Sequence, residues 1–294
     1  MAETLPVGTV CYLNGEYLPL AEARISPLDR GFLFADSVYE VLPVFGARIF
    51  RFREHFDRLA RSLAEVRIAS PHTHAQWLTV LTELVRRNGE GDMYLYIQVT
   101  RGTEHRRNHA FPTDVTPTVF AMASSLPSLT SEVREHGLAA ITVDDFRWGR
   151  CDIKSTMLLA NVLMKQQAVE AGAQEAIIVR DGEVLEGAST SVFVIRKGVI
   201  ATPMDSHRIL PGTTRDAALE LAATCSLPVE VRSIRVPELL QADELWISAA
   251  TRDVLPVTSV DGNRIGNGRP GPLWRQLSDA FLKMRANLAG TSAL

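Results

Sequence analysis

Short turn sequences recur along the chain where they would join paired strands. Asn14-Gly15 and Asp181-Gly182 each separate two apolar stretches, and both dipeptides favour the positive φ angles of a two-residue hairpin turn. Gly46 has a comparable position between two further stretches. Hairpins join antiparallel strands, so their number argues against a doubly wound parallel sheet. The turns predict strand-rich domains with single helices between the hairpins, which is an α+β fold.

Helical periodicity is clearest in residues 53–67. Phe56, Leu59, Leu63 and Val66 fall at spacings of three and four there, so they share one helical face. Similar patterns or helix-boundary signals predict four more helices, at 74–87, 155–171, 213–224 and 273–288.

The segment 124–131 is rich in serine, threonine and proline, which favour turns and extended backbone. With 294 residues, the chain is long enough for two domains. We therefore predict a small N-terminal α/β domain at 1–123, a linker at 124–136 and a larger C-terminal domain with more strands at 137–294.

Bulk properties exclude several classes of function. A net charge of −3 gives no basic surface for nucleic acid, and no apolar run is long enough to cross a bilayer. The N-terminus lacks the pattern of a secretory signal. Cys11, Cys151 and Cys225 form no CxxC pair or even disulfide set, and His72 and His74 lack further ligands at metal-binding spacing. These features predict a soluble, cytoplasmic protein without a metal site that binds neither nucleic acid nor a membrane.

Lysine is rare in this chain, since only four of its 31 basic residues are lysines. Unlike arginine, lysine can lose its proton and form a Schiff base. Lys165, Lys197 and Lys283 have ordinary positions in a helix, a hairpin turn and the closing helix. Lys154 stands where an extended segment meets a helix predicted to begin near Ser155, a type of junction that often displays reactive side chains. Lys154 is therefore the candidate catalytic residue.

Three other features fit a single cofactor. The segment 210–215 leads directly into a helix, whose first N–H groups and the hydroxyls of Thr213 and Thr214 are suited to a phosphate. Glu186 ends a strand before a tight turn, and Arg58 lies on the helix at 53–67. Taken singly, these residues also fit an ordinary helix N-cap, a solvated glutamate and a surface arginine. Together with a Schiff-base lysine, they are the groups that pyridoxal phosphate requires.

These residues belong to a series of motifs that covers nearly the whole chain. In order, the motifs are Tyr12-Leu-Asn-Gly, Asp29-Arg-Gly-Phe, Asp36-Ser-Val-Tyr-Glu-Val, Glu54-His-Phe-Asp-Arg-Leu, Gln98-Val-Thr-Arg-Gly-Thr, Cys151-Asp-Ile-Lys-Ser, Glu186-Gly and Leu210-Pro-Gly-Thr-Thr-Arg-Asp. The series resembles the fold-type IV pyridoxal-phosphate-dependent aminotransferases, and most closely the D-amino acid transaminases. The resemblance implies two domains with the cofactor at the interface between them.

The resemblance also implies roles for individual residues towards the cofactor. Lys154 would form the Schiff base with pyridoxal 5'-phosphate, and Glu186 would meet the pyridine nitrogen. The phosphate would be held by Arg58, Thr213 and Thr214, and Leu210 would pack on the ring. Relatives carry further phosphate-binding hydroxyls where this chain has Ala249 and Ala250, with Ser248 and Thr251 as the nearest hydroxyls.

For the substrate, the resemblance implies that Tyr39, Arg107 and His109 bind the α-carboxylate, for which charged and polar donors are suited. Arg107 and His109 would come from the partner chain of a homodimer. The loop 101–112 is one residue longer than the family pattern, so Arg106 competes with Arg107 for this role.

The activity implied is a two-half-reaction, ping-pong transamination of D-amino acids with a 2-oxo acid such as pyruvate or 2-oxoglutarate. Other reactions remain open on the same scaffold. They are transamination of (R)-amines, branched-chain-type transamination and the aminodeoxychorismate lyase reaction. A non-catalytic pyridoxal-phosphate-binding protein is a further alternative.

Overall fold

The structure is a computed structural model that describes residues 9–89 and 91–290. Within these ranges the chain forms two compact units. The first unit contains residues 9–89, 91–126, 153–157 and 286–290, and the second contains residues 127–152 and 158–285. Helices and antiparallel hairpins occur together, which confirms the predicted α+β class. No helix among the described residues has the length and apolar character that a membrane crossing requires.

Six strands form the sheet of the first unit. They are β1 (Val10–Leu13), β2 (Glu16–Pro19), β3 (Ser37–Phe45), β4 (Arg48–Ile49), β5 (Met93–Thr100) and β6 (Val119–Ser125). All neighbours are antiparallel, in the order β2-β1-β6-β5-β3-β4. The predicted turn residues Asn14, Gly15 and Gly46 have positive φ angles in the hairpins β1–β2 and β3–β4.

The helices of the first unit are α1 (Arg30–Phe34), α2 (Phe52–Glu65) and α3 (His74–Asn88), with a short 3-10 helix at Leu20–Glu22. The predicted apolar face of α2 is buried at Phe56, Leu59 and Leu63. It packs in one core with side chains of α3, β3 and β5. Helix α3 begins with a capping box formed by Thr73 and Gln76. The first unit is therefore a sheet covered by two amphipathic helices.

Ten strands form the sheet of the second unit. They are β7 (Leu138–Asp144), β8 (Glu175–Arg180), β9 (Glu183–Gly187), β10 (Ser191–Arg196), β11 (Val199–Thr202), β12 (Val229–Val231), β13 (Ile234–Arg235), β14 (Glu244–Ala249), β15 (Asp253–Val260) and β16 (Asn263–Arg264). Nine follow the order β12-β11-β10-β14-β15-β7-β8-β9-β13, and β16 pairs with β15. The pairs β15–β7, β7–β8 and β11–β12 are parallel, and the others are antiparallel.

The remaining helices are α4 (Ser131–His136), α5 (Leu159–Glu170), α6 (Thr213–Thr224), α7 (Val236–Leu240) and α8 (Pro272–Gly290). Met164 and Ala168 of α5 are fully buried in a core cluster with β8 residues such as Ile178. The residues of α8 from 286 onwards belong to the first unit.

The segment around Lys154 differs from the prediction. The helix predicted to begin near Ser155 begins only at Leu159. The Thr156 N–H donates to the Ser37 carbonyl at 3.1 Å, and Ser155 forms a bridge with Val38. Because these backbone groups pair with β3, residues 153–157 are not helical, and the predicted helix start was wrong.

Two other segments contain structure that the sequence analysis did not predict. Residues 124–136, predicted as a linker, include the end of β6 and all of α4, whose N-cap Thr130 accepts a hydrogen bond from the Val133 N–H. Residues 229–236 comprise two short strands and the first residue of α7. Pro237 lies in the first turn of α7, where its missing N–H is tolerated.

Candidate active site

Lys154 is fixed by the pairing of its segment with β3. The Lys154 carbonyl accepts a 2.9 Å hydrogen bond from the Tyr39 N–H, and the Lys154 N–H donates to Ser62 Oγ at 3.3 Å. Lys154 Nζ lies 4.2 Å from the centroid of the Tyr39 ring. The main chain of Lys154 is therefore held on both sides, and its amine lies against an aromatic ring.

Tyr39 stacks on Tyr96 of the neighbouring strand β5, with ring centroids 5.8 Å apart. The Tyr96 hydroxyl donates a 2.8 Å hydrogen bond to Gln98 Oε1. Burial, with a smaller contribution from Tyr39, raises the pKa of Tyr96 to about 12. Tyr96 is therefore an uncharged neighbour of Tyr39 at neutral pH.

Arg58, the predicted phosphate ligand on α2, contacts a buried carboxylate. Arg58 Nε and Nη2 donate to the two oxygens of Glu40 at 2.7 and 2.9 Å. His55, on the same helix, places Nδ1 2.8 Å from Glu40 Oε2. All three side chains are buried. Because a bidentate pair fixes the plane of a guanidinium group, Glu40 orients Arg58.

The charges of this cluster follow from burial and proximity. Burial alone would raise the pKa of Glu40, but Arg58 and His55 outweigh it and hold that pKa far below its ordinary value. Burial lowers the pKa of His55, and the charges of Arg58 and Lys154 add to this effect against the influence of Glu40. At neutral pH the cluster therefore contains an ionised Glu40, a charged Arg58 and a neutral His55.

Glu186, the predicted partner of a ring nitrogen, is held from two sides near the end of β9. One carboxylate oxygen accepts a hydrogen bond from Arg147, and the other accepts from the Leu210 N–H at 3.1 Å. Arg147 also donates to Asp145 at 3.0 and 3.1 Å. Although burial opposes it, Asp145 and Glu186 raise the pKa of Arg147. The fixed positive charge of Arg147 favours the ionised form of Glu186.

Helix α6 begins with the predicted phosphate ligands Thr213 and Thr214, both of which are buried. The N-cap is Gly212, so no side chain caps the first turn. A helix start of this kind can bind an anion through its backbone N–H groups. A Cβ atom on Gly212 would lie 2.5 Å from Ser191 Oγ, so any larger residue at this position would displace the Ser191 side chain.

Ser248 adds a hydroxyl beside Ser191. The two serines are directly opposite each other in the β10–β14 pair, so their side chains share one face of the sheet. Within the part of the chain that the structure describes, Ser248 Oγ is buried and has no hydrogen-bond partner. Such a hydroxyl is costly unless a ligand satisfies it. The residues at the start of α6 therefore fit a phosphate group, although Ala249 and Ala250 carry no hydroxyl.

Arg107 and His109, predicted to bind a carboxylate, lie together on the exposed loop after β5. The guanidinium carbon of Arg107 lies 5.0 Å from the centroid of the Phe34 ring. The His109 ring centroid lies 5.2 Å from the same ring, edge to face. The Arg106 side chain is exposed and makes no hydrogen bond, ion pair or ring contact with the described residues. The geometry therefore favours Arg107 as the companion of His109.

The predicted site residues are divided between the two units. Those in the first unit are Tyr39, Arg58, Arg107, His109 and Lys154, and those in the second are Glu186, Leu210, Thr213 and Thr214. In the structure the Lys154 amine lies against the Tyr39 ring, and Arg107 and His109 contact the same Phe34 ring. The Glu186 carboxylate accepts a hydrogen bond from the Leu210 N–H. No group of three or more His, Cys, Asp or Glu side chains in residues 9–89 and 91–290 is arranged to hold a metal ion.

Sequence reasoning missed Glu40 and Arg147. Glu40 could have been found from the sequence, because it lies two residues from both Val38 and Leu42 and therefore on the same apolar face of β3. A carboxylate on such a face requires a charged partner. Arg147 gives no comparable signal, since its partner Glu186 is distant in the sequence.

Known aminotransferases are similar to this chain over nearly its whole length. The chain is 42% identical over 268 residues to the D-alanine aminotransferase of Bacillus licheniformis, which corresponds to 91% of this chain and 94% of that protein. It is 39% identical over 276 residues to the D-alanine aminotransferase of Staphylococcus haemolyticus, with 94% and 97% covered.

Solved structures of two branched-chain amino acid aminotransferases share the fold. The enzyme from Escherichia coli has a TM-score of 0.88 and 25% identity, with 94% of each chain covered. The enzyme from T.th., solved with pyridoxamine 5'-phosphate, has a TM-score of 0.89 and 26% identity, with 97% of this chain and 96% of that chain covered.

The sequence signature described as amino-transferase class IV matches residues 37–260. This match and the identities above confirm the predicted fold type and the predicted class of enzyme, an aminotransferase that uses pyridoxal phosphate. The chain belongs to the amino-transferase class IV family.

Proposed function

We propose that this protein transfers the amino group of a D-amino acid to a 2-oxo acid, pyruvate or 2-oxoglutarate, in two half-reactions. The observation that carries the proposal is the pair of Arg107 and His109 on the Phe34 ring, because a charged guanidinium group beside an imidazole N–H donor suits an α-carboxylate. The identity to two D-alanine aminotransferases supports the D configuration. When bound, pyridoxal phosphate supplies an aldehyde that takes up the amino group and a ring that withdraws electrons from the reacting carbon.

Lys154 is the proposed catalytic residue. Its amine can hold the cofactor covalently and, once displaced by the substrate amine, can move a proton between the substrate Cα and the carbon that receives the amino group. Its main chain is hydrogen-bonded on both sides, so Nζ can move only over the range that its side-chain torsions allow. This restriction supports a defined position for proton transfer.

The cofactor would be oriented by charges at its two polar ends. Glu186, ionised beside Arg147, is suited to a protonated ring nitrogen. Arg58, Thr213 and Thr214 are suited to the phosphate, and Leu210 would pack on the ring. Most of these residues lie beyond residue 136, which supports the proposal that 137–294 is the cofactor-binding domain.

The substrate carboxylate would be bound by Tyr39, Arg107 and His109. We propose that the protein is a homodimer in which Arg107 and His109 of one copy complete the site of the other. An apolar stripe on α5 supports the dimer. Leu159, Val162, Leu163 and Val169 share one face of this helix and are between 48% and 73% exposed in the single chain.

A substrate panel tests the proposed reaction. Purified protein loaded with pyridoxal phosphate is expected to convert D-alanine with 2-oxoglutarate, and D-glutamate with pyruvate, while L-alanine reacts much more slowly. Borohydride reduction followed by peptide mass spectrometry should find the cofactor on Lys154. Equal rates with D- and L-alanine, or attachment to another lysine, would refute the assignment.

Transamination of branched-chain L-amino acids is the second candidate. The TM-scores of 0.88 and 0.89 to branched-chain amino acid aminotransferases favour it. L-leucine in the same panel distinguishes the two activities, since a preference for L-leucine over D-alanine would support this second candidate.

We also propose that the protein is located in the cytoplasm. Its three cysteines, Cys11, Cys151 and Cys225, are all free thiols, which is typical of a reducing compartment. Cell fractionation tests the location, and recovery with an extracytoplasmic fraction would contradict it.

A further inference from the structure

A buried arginine holds the loop that carries Arg107 and His109. Arg30, in α1, is 3% exposed and donates to the Asn108 carbonyl at 2.6 Å and to the His109 carbonyl at 3.2 Å. It also donates to Glu104 Oε2 at 3.2 Å. One side chain therefore holds the loop at three points, two of which are backbone carbonyls next to Arg107.

Arg30 is in turn fixed to the start of the loop through Asp36. Arg30 Nε donates to Asp36 Oδ2 at 2.8 Å. Arg101, which follows β5, donates to both oxygens of Asp36 at 2.7 and 2.9 Å. Asp36 therefore joins two buried arginines, one at the beginning of the loop and one beneath its middle.

The ring of Phe34 supports the side chains of the same loop. The guanidinium carbons of Arg30 and Arg107 lie 4.9 and 5.0 Å from its centroid, and the His109 ring lies 5.2 Å from it in an edge-to-face contact. An aromatic face attracts a cation, and this contact limits the rotamers of Arg107. A side chain that is already ordered loses less conformational entropy when it binds a substrate.

On the basis of the proposed function, we propose that Phe34 and Arg30 are positioning residues for recognition of the substrate carboxylate. Arg30 sets the path of the loop backbone, and Phe34 sets the direction of Arg107 and His109. Neither residue needs to touch the substrate. The ligand class that this arrangement selects is an amino acid with a free α-carboxylate.

Kinetics of the holoenzyme test the role of the ring. Phe34→Leu keeps an apolar side chain but removes the aromatic face. We expect the KM for D-alanine to rise about tenfold with kcat within about twofold, because substrate binding weakens without a change in the chemical step. Phe34→Tyr should retain the wild-type KM. Phe32→Leu is the matched control, since Phe32 is on the same helix and is 77% exposed.

Amide hydrogen exchange in residues 104–111 gives a readout that does not require turnover. Exchange should be faster in Phe34→Leu and Arg30→Lys than in the wild type or Phe32→Leu. If the wild type does not convert D-alanine, the proposed function is refuted. If amide exchange is nevertheless faster in the two variants, the positioning role is retained. Unchanged exchange, an unchanged KM in Phe34→Leu, or a loss of kcat at constant KM would overturn the inference.

Discussion

At the scale of single side chains, Glu40 influences the charges of its buried neighbours Arg58 and His55. It is fully buried, orients Arg58 through two hydrogen bonds and contacts His55 through a third. If Glu40 is neutralised, the buried Arg58 loses the carboxylate that faces its charge, which is more costly than the absence of both charges. The substitution therefore tests both the stability and the orientation of the proposed phosphate ligand.

Glu40→Gln is expected to lower the free energy of unfolding by about 3–5 kcal/mol. Urea denaturation of both proteins measures the difference. Glu83→Gln is the control, because Glu83 is accessible and forms surface ion pairs with Arg86 and Arg87. It should leave the unfolding transition almost unchanged. A small effect of both substitutions would contradict the role given to Glu40.

The stability of the protein should fall in two steps as the medium is acidified. The pKa of His55 is lowered from 6.5 on folding, so below pH 6.5 the unfolded chain binds more protons than the folded one. The stability that depends on neutral His55 is complete above pH 6.5 and is lost as the pH falls below that value. Glu40, whose pKa is lowered from 4.5, adds a second loss below pH 4.5.

His55→Gln should reduce the first loss, whereas the second should persist because Arg58 makes the larger contribution to lowering the pKa of Glu40. The free energy of unfolding, measured at several pH values from about pH 7.5 to about pH 4, tests this expectation. An unchanged slope just below pH 6.5 in the variant would show that His55 is not the responsible group.

At the scale of secondary-structure elements, the start of α6 has a glycine, Gly212, as its N-cap, so no side chain projects towards Ser191. Gly212→Ala would not strain the backbone, since the φ angle of Gly212 is −81°. The added methyl group would instead meet Ser191 Oγ. We expect the affinity for pyridoxal phosphate, measured by equilibrium dialysis, to fall about tenfold, equivalent to the loss of about one charge-assisted hydrogen bond.

A second substitution should reverse this effect. Ser191→Ala removes the hydroxyl that the new methyl group would meet, so Gly212→Ala with Ser191→Ala should regain part of the lost affinity. Gly149→Ala is the matched control, because its Cβ would enter open space. Loss of affinity in the control, or none in Gly212→Ala, would show that the size of residue 212 does not matter.

At the scale of the whole molecule, the proposed homodimer depends on the apolar stripe of α5. Its apolar residues Met164 and Ala168 face the core, whereas Leu159 and Leu163 face outwards. Sedimentation should find the 32.4 kDa chain as a dimer, and Leu163→Arg should shift it towards the monomer. Leu282→Arg, a change at an exposed leucine of α8, should leave the dimer intact. A monomeric wild type would refute the homodimer.

Local patterns predicted much of the fold because hairpin turns and helical faces depend on neighbouring residues. Asn14-Gly15 and the apolar positions of α2 are examples. The non-helical backbone of residues 153–157 could not be predicted in this way, because it depends on pairing with β3, which is distant in the sequence. The same limit applies to the site. Motifs indicated Lys154 and Glu186, but the ion pairs Glu40–Arg58 and Arg147–Glu186 depend on tertiary contacts.

The hydrogen bonds at both peptide groups of Lys154 also affect how quickly its amine can move from one position to another. With the backbone tethered to Tyr39 and Ser62, only rotation about the four-carbon stem remains. Rotamer changes take picoseconds to nanoseconds, whereas loop rearrangements are slower. In the proposed reaction, a change of Lys154 from holding the coenzyme to moving a proton would therefore require no rearrangement of the fold.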